Sequence, residues 1–561
     1  MKKNHPVRLP KWSLGSTWLL LAAAVYLSWP MNMSLWRYLA AHLEIHGLVM
    51  VLFAASYPLL ILAVVWLLLA LVALPYMTKP LLSVLILISC VANYWMVHYR
   101  IYIDSDMIRN VFETNNREAM DLVTLKLVFW VLITGILPVV LLWMTRIRYQ
   151  SQLKEIRNRF LTVALCAAVI GIIAVVFYKN HASFGRNHHR MIRLVSPTNY
   201  INGTIKYFSK EALAKRQFEI LDKKARLAPF ADPYPTVFIL IVGETARAAN
   251  FSLNGYPQPT NPRLEKERLL NFPSVYSCGT ATAISVPCMF SSKPRTEFDA
   301  GDAKMTQNLL DLLASAGYDI LWRENDDGCK GVCARVKTDY FDPNRYKQFC
   351  DGKSCFDEVM LDDLDDYLRT VTKDTFIVLH TIGSHGPTYY QRYPAAFRKF
   401  TPTCDSADLQ SCTQEEIRNT YDNTVLYTDH VIAESIRILK QFPYFESGLM
   451  YVSDHGESLG ENNIYLHGMP YAIAPQEQKK VPMVLWMSDN MVKYDHLDYV
   501  CLQKEAAKNT YSHDNIFHSM LGLMEVNSKL YAPKMDLFDK CRKKPLPTCD
   551  EDGVKCKPVI E

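Results

Sequence analysis

The chain has 561 residues, 50% hydrophobic and 21% charged, with Gly 22 and Pro 29. That composition excludes a disordered or collagen-like polymer, and the length exceeds what one hydrophobic core organises. A formal net charge of +5 on so long a chain gives no argument for nucleic-acid binding.

Apolar residues concentrate in the first third. Uncharged runs at Trp12–Met31, Leu48–Met77, Leu81–Val97, Leu127–Met144 and Phe160–Phe177 approach the ~20 residues a helix needs to cross hydrocarbon. They predict a five-helix transmembrane domain over residues 1–179, with Trp12, Trp29, Tyr76, Trp95 and Tyr99 near the span ends as an interfacial belt requires. A cleaved signal peptide fits the first run less well, because no convincing small-residue cleavage site precedes Met31. Basic residues set the orientation. Lys2, Lys3, Arg8 and Lys11 precede the first span, Lys79 follows the second, and Arg146, Arg148, Lys154, Arg157 and Arg159 precede the fifth. These segments are expected in the cytoplasm, and an odd number of spans places everything after Phe177 outside.

Cysteine usage tests that placement. Of 14 cysteines, Cys90 and Cys166 lie in spans. The others include the close pairs Cys278 and Cys288, Cys329 and Cys333, Cys350 and Cys355, and Cys404 and Cys412, followed by Cys501, Cys541, Cys549 and Cys556, whose pairing stays open. Disulfides in an oxidising compartment fit better than zinc at Cys329 and Cys333, since no matching Cys and His pair follows at finger spacing. A bacterial periplasm or a comparable extracytoplasmic face satisfies both the charge and the cysteine arguments.

Residues 180–231 are polar, basic and partly amphipathic, and are expected to be a linker at the membrane surface or, alternatively, a plain solvated one. From 232 to 561 the pattern becomes α/β. Short Val/Ile/Leu-rich runs at Thr236–Val242, Tyr318–Trp322, Phe376–Leu379, Gly448–Val452 and Val481–Met487 alternate with helix-period segments at Thr306–Ala316, Phe356–Thr372 and Gln414–Gln441. Unbroken apolar strands separated by helices predict a mainly parallel sheet covered on both faces, with ligands beyond the carboxyl ends of its strands.

The residues that follow those runs carry chemistry. They are Glu244, then His380 and His385, then Asp454 and His455. Carboxylates and imidazoles at successive strand ends supply the oxygen and nitrogen donors that zinc or manganese takes. Between Cys278 and Cys288 lie Thr280, Thr282 and Ser285, which a Ser/Thr-rich turn alone would explain. A cation beside Thr280 or Thr282 would instead lower the hydroxyl pKa and make a nucleophile.

Five segments carry a resemblance: Val242-Gly-Glu-Thr-Ala-Arg to Asn-Gly-Tyr256, the Cys278 to Cys288 loop, His380-Thr-Ile-Gly-Ser-His-Gly-Pro, Ser453-Asp-His-Gly-Glu, and Leu466-His-Gly468. Together with the five-span anchor, the chain resembles the lipid A phosphoethanolamine transferases, which include the mobile colistin-resistance enzymes and belong to the alkaline phosphatase and sulfatase superfamily. The resemblance implies an alkaline-phosphatase-like catalytic domain, Thr282 as nucleophile, and zinc on Glu244, Thr282, Asp454 and His455. It places His385 and His467 beside the transferred phosphate, as catalytic residues or on a second zinc, with His380 and Lys330 nearby for substrate. It further implies phosphatidylethanolamine as donor, lipid A as acceptor, the inner membrane as location, a monomeric state, and resistance to polymyxins. A relative acting on another envelope glycan or on the lipopolysaccharide core is the alternative. One local departure is Glu324-Asn-Asp-Asp327, where relatives often carry asparagines; the added charge would favour an ammonium group or be solvated.

Overall fold

The computed structural model describes residues 12–43, 47–99, 101–113, 124–214, 217–228, 234–351, 354–407, 409–461 and 464–543. The basic residues before Trp12, and Cys549 and Cys556, lie outside the described residues. The chain divides into two compact units, residues 1–215 and 216–561.

The first unit holds five helices long and apolar enough to cross a membrane: Ser16–His42, Gly47–Val72, Thr78–Tyr99, Leu125–Met144 and Gln152–Gly185. The last three contain their expected runs whole, whereas the first begins at Ser16 rather than Trp12 and the second ends at Val72 rather than Met77. The first is interrupted by a tight turn at Pro30–Asn32, where proline at the start of the turn lacks the donor that a continuous helix needs. The last helix bends at Phe177, whose backbone leaves the helical region. Part of the stretch expected as a linker packs within this unit. Asn32 Nδ2 donates to the Ser196 carbonyl at 2.9 Å, and Ser196 N–H donates to Asn32 Oδ1 at 2.7 Å. The adjoining helix Thr198–Ala214 buries Tyr200.

The second unit is built on one eight-stranded sheet. In chain order its strands are β1 (Thr236–Gly243), β2 (Leu269–Tyr276), β3 (Asp319–Glu324), β4 (Lys337–Tyr340), β5 (Thr375–His380), β6 (Glu446–Ser453), β7 (Lys480–Met487) and β8 (Tyr511–Ser512). Across the sheet they run β8-β2-β7-β6-β1-β5-β3-β4. All neighbours pair parallel except β7, which is antiparallel to both β6 and β2. β1 is central and apolar on both faces. Phe238, Leu240 and Val242 enter one core, while Val237, Ile239 and Ile241 enter the other. A strand that feeds two cores cannot show hydrophobic alternation, so it reads as an unbroken run.

Two expectations are corrected. The run from Phe356 to Thr372 is not one helix: it forms a turn at Asp357–Leu361 and a short helix at Leu364–Arg369, separated by Asp363 at φ +58, which no continuing helix adopts. Helix Leu309–Ala316 starts later than Thr306, because Asn308 and Asp311 close a reciprocal cap. β2 and β4 carry no strong sequence signal. Pro273 lies in β2 and Pro482 in β7, opposite a register shift between Val481 and Met483, as expected where two residues lack a donor for the ladder.

Candidate active site

The register of the parallel strands brings their carboxyl ends together. Gly243 faces Ser453, Val242 faces His380, and His380 faces Glu324. Glu244 therefore stands beside Asp454 and His455 on one side and the ends of β5 and β3 on the other. The chain leaving β2 forms the Cys278–Cys288 disulfide loop and starts the helix Thr282–Met289, whose first residue is Thr282.

Thr282 Oγ1 lies 3.2 and 3.4 Å from the Glu244 carboxylate oxygens and 3.4 Å from His455 Nε2. His455 Nε2 lies 3.5 Å from Glu244 Oε1 and 3.3 Å from Asp454 Oδ2. Tetrahedral ligands at the ~2.0 Å typical of zinc stand about 3.3 Å apart, so this donor set fits the ion. Three further features agree. His455 Nδ1–H donates to the Gly456 carbonyl at 2.9 Å, which leaves the Nε2 lone pair facing the cluster. Asp454 Oδ2 is buried without a hydrogen-bond partner. Burial, then Asp454 and Asp326, hold the Glu244 carboxyl well above its usual range, a strain that a dication between the carboxylates relieves.

The remaining expected residues divide. Thr280 Oγ1 donates to the Met469 carbonyl at 2.5 Å, away from the carboxylates. His467 comes to the cluster, its ring centroid 4.4 Å from that of His455, and its Nδ1 meets Glu457 Oε2 at 2.7 Å. His385 stands 5.6 Å from His467 between ring centroids, and burial, then His467, pull its pKa down to about 4. His380 is fully buried, with Nδ1 at 2.9 and 3.0 Å from Glu324. Burial pulls its pKa down, but Glu324 outweighs this and holds it above the usual histidine value. Lys330, at φ +53 on the loop after β3, turns its Nζ to the Asp327 carbonyl and carboxylate. Side chains able to hold a metal group as Glu244, His455 and His467, and as Glu244, Asp326 and His380; a third group, Cys278, Cys288 and Asp514, has its two thiols spent on a disulfide, and among the described residues His385 joins none of the three.

Several supporting residues escape sequence reading. His513 is buried, its pKa pulled down to about 3, and it clips the Cys278–Cys288 loop to β6: its Nδ1 accepts from Cys278 N–H at 3.1 Å while Nε2–H donates to the Ser453 carbonyl at 3.0 Å. Asp357 accepts from Asn325, Ile382 and Gly383 and so holds the loop after β5. Gly383, at φ +48, passes so close to Glu244 that a Cβ would sit 2.6 Å from its carbonyl oxygen. Nothing local marks His513 or Asp357. Glu324, by contrast, ends a strand and was open to the same rule that found Glu244. Within the Glu324 to Asp327 departure, Asp327 is solvated, whereas the side chains of Glu324 and Asp326 are 2% and 6% exposed.

Comparisons agree with the geometry. The family model "Phosphoethanolamine transferase EptA/EptB" matches residues 61–212 and the model "Sulfatase" matches 236–526. The phosphoethanolamine transferase EptA of Escherichia coli (strain K12) is 41% identical over 94% of this chain and 97% of its own. The phosphatidylethanolamine transferase Mcr-1 of Escherichia coli is 36% identical over 81% of this chain and 84% of its own. The structure of the integral membrane lipooligosaccharide phosphoethanolamine transferase A (EptA) from Neisseria meningitidis covers 95% of this chain and 100% of its own, at 38% identity and a TM-score of 0.62. Its anchor and sulfatase-like domain match along nearly their whole length, and the chain belongs to the EptA family of membrane phosphoethanolamine transferases.

Proposed function

We propose that the protein moves phosphoethanolamine from phosphatidylethanolamine to a phosphate of lipid A, by way of a covalent adduct on Thr282. The observation that carries this reading is the position of Thr282 Oγ1, 3.2 to 3.4 Å from Glu244 and His455 at the start of a helix whose N–H groups favour negative charge. Zinc held by Glu244, Thr282, Asp454 and His455 would lower the pKa of the Thr282 hydroxyl and offset charge on the transferred phosphoryl group.

In the first displacement the Thr282 oxygen forms a bond to the donor phosphorus, the bond to the glycerol oxygen breaks, and diacylglycerol leaves with a proton. His467, oriented by Glu457, is placed to give that proton. His385, whose ring centroid lies 5.6 Å from that of His467 and whose pKa burial, then His467, pull down, is assigned to accept the hydroxyl proton. In the second displacement a lipid A phosphate oxygen forms a bond to the same phosphorus and gives its proton to His467, while the Thr282 oxygen–phosphorus bond breaks and His385 returns the hydroxyl proton to Thr282. Lys330 is assigned to the phosphoethanolamine group.

The five apolar helices anchor the reaction at a bilayer. In this reading residues 1–179 span the bacterial inner membrane as a monomer, residues 180–231 follow its surface, and residues 232–561 act in the periplasm, where both lipids are met. Masking lipid A phosphates lowers the negative surface charge that attracts polymyxins. The test is mass spectrometry of the full chain incubated with vesicles containing phosphatidylethanolamine. A phosphoethanolamine adduct on the Thr282 peptide, discharged by added lipid A, is expected. An adduct on another residue, or product formed without one, overturns the intermediate. Product formed only on core sugar or membrane glycan would identify the alternative acceptor.

A further inference from the structure

We propose a second divalent-cation site at the same sheet edge, formed by His380, Asp326 and the shared carboxylate of Glu244. Each of the three offers one ligand atom, and these atoms all lie within 4.8 Å of one another. His380 is fully buried. Its two ring nitrogens are used very differently. Nδ1 is taken by Glu324 at 2.9 Å, whereas Nε2 is buried with no hydrogen-bond partner and stands 3.9 Å from Asp326 Oδ2. A buried polar atom is costly to leave unmatched, and an imidazole held through Nδ1 by a carboxylate is the arrangement that orients and strengthens a metal ligand at Nε2.

Glu324 is itself locked. Trp322 Nε1–H donates to its Oε2 at 2.8 Å and Asp326 N–H to its Oε1 at 2.9 Å. Parallel register places Glu324 directly against His380, so the pairing is fixed by the sheet. Two carboxylate oxygens and one imidazole nitrogen suit zinc or manganese. Ligand atoms around such an ion stand about 3.3 Å apart at ~2.0 Å bonds, so atoms that now lie within 4.8 Å of one another would draw together around it. Glu244 belongs to both trios, so its carboxylate would lie between two cations, as in other sites that hold a transferring phosphoryl group. The competing account is that protonated His380 serves as the cation itself, against Glu324 and Asp326.

The inference rests on the zinc reading above only through Glu244, and the test separates the two. Full-length protein in detergent is stripped of metal, equilibrated with buffered free zinc, and its bound zinc is counted per chain. Surface histidines contribute equally in every variant, so differences between variants decide. Wild type is expected to hold one ion more than Asp326→Asn and one more than Asp454→Asn. Glu324→Gln should weaken the second ion by about 10- to 100-fold without moving the first. His380→Gln alters a buried ring, so the near-isosteric Asp326→Asn carries the test, with its melting temperature as the check on folding. A folded Asp326→Asn that binds zinc like wild type overturns the second site. So does a single wild-type ion lost in Asp454→Asn and kept in Asp326→Asn, which leaves the first site standing. A single ion lost in both variants means one site that includes Asp326, and no bound ion in wild type overturns both readings.

Discussion

Thr280 and Thr282 are two residues apart in one small loop, yet their hydroxyls face different partners. Thr280 is spent on the Met469 carbonyl, whereas Thr282 meets Glu244 and His455. Removing a nucleophile leaves only binding and electrostatics, and such losses reach about 10³-fold or more. Thr282→Ala should therefore abolish transfer, with the adduct, while the chain remains folded. Thr280→Ala loses one neutral hydrogen bond, about 1 kcal/mol, and should keep activity within roughly tenfold in the same lipid-transfer assay. The opposite ranking would remove Thr282 as the nucleophile. The same contrast explains why Thr282 was visible in sequence only through motif resemblance: spacing alone does not say which hydroxyl a helix start will aim at a carboxylate.

Elements impose their own tests. The long helix Gln414–Leu439 begins with a reciprocal cap between Thr413 and Glu416 and buries Asp429, which accepts N–H bonds from Arg263 and Leu264 at 3.0 and 2.9 Å. Burial raises the Asp429 pKa to about 6 despite those bonds. A carboxyl raised on folding binds its proton more tightly in the native state, so its contribution falls as pH rises from about 4 to about 6. The melting temperature of Asp429→Asn relative to wild type should accordingly climb across that window. A constant difference would show that Asp429 does not titrate there. The Cys278–Cys288 loop constrains geometry more than stability: closing 10 residues contributes about 3 kcal/mol in the chain-entropy account. A 1 Å misplacement of a reacting atom costs about 10²-fold in rate. Cys278→Ser with Cys288→Ser should therefore lose activity well beyond what its melting shift explains; full activity would show that His513 and packing hold the loop unaided.

At the scale of the whole molecule, the proposed transfer between two lipids calls for a catalytic domain held at a bilayer, outside the cytoplasm. Five disulfides lie in the second unit and none in the first among the described residues, which matches an anchor in lipid and a domain outside the cytoplasm. A reporter active only outside the cytoplasm should function when fused after Glu561 and stay silent when inserted between Arg146 and Arg159. A cytoplasmic readout from the Glu561 fusion would reverse the topology and remove lipid A from reach.

Sequence by itself determined what depends on local pattern. The apolar runs marked all five spans, because crossing hydrocarbon demands consecutive residues. Strands apolar on both faces marked β1, β3, β5, β6 and β7, and their ends marked Glu244, Asp454 and His455. The four short-range disulfides were legible from cysteines 4 to 10 residues apart. Tertiary structure alone decided what depends on distant contacts. It paired Cys501 with Cys541 across 40 residues. It reversed β7, added β2 and β4, and split the segment after Phe356 at Asp363. It also set Glu324 against His380, Glu457 against His467, and His513 between the loop and β6. Residues 56 to 60 positions apart in chain, as in the first and last of those pairs, share no local period; only the register of the folded sheet brings them into one site.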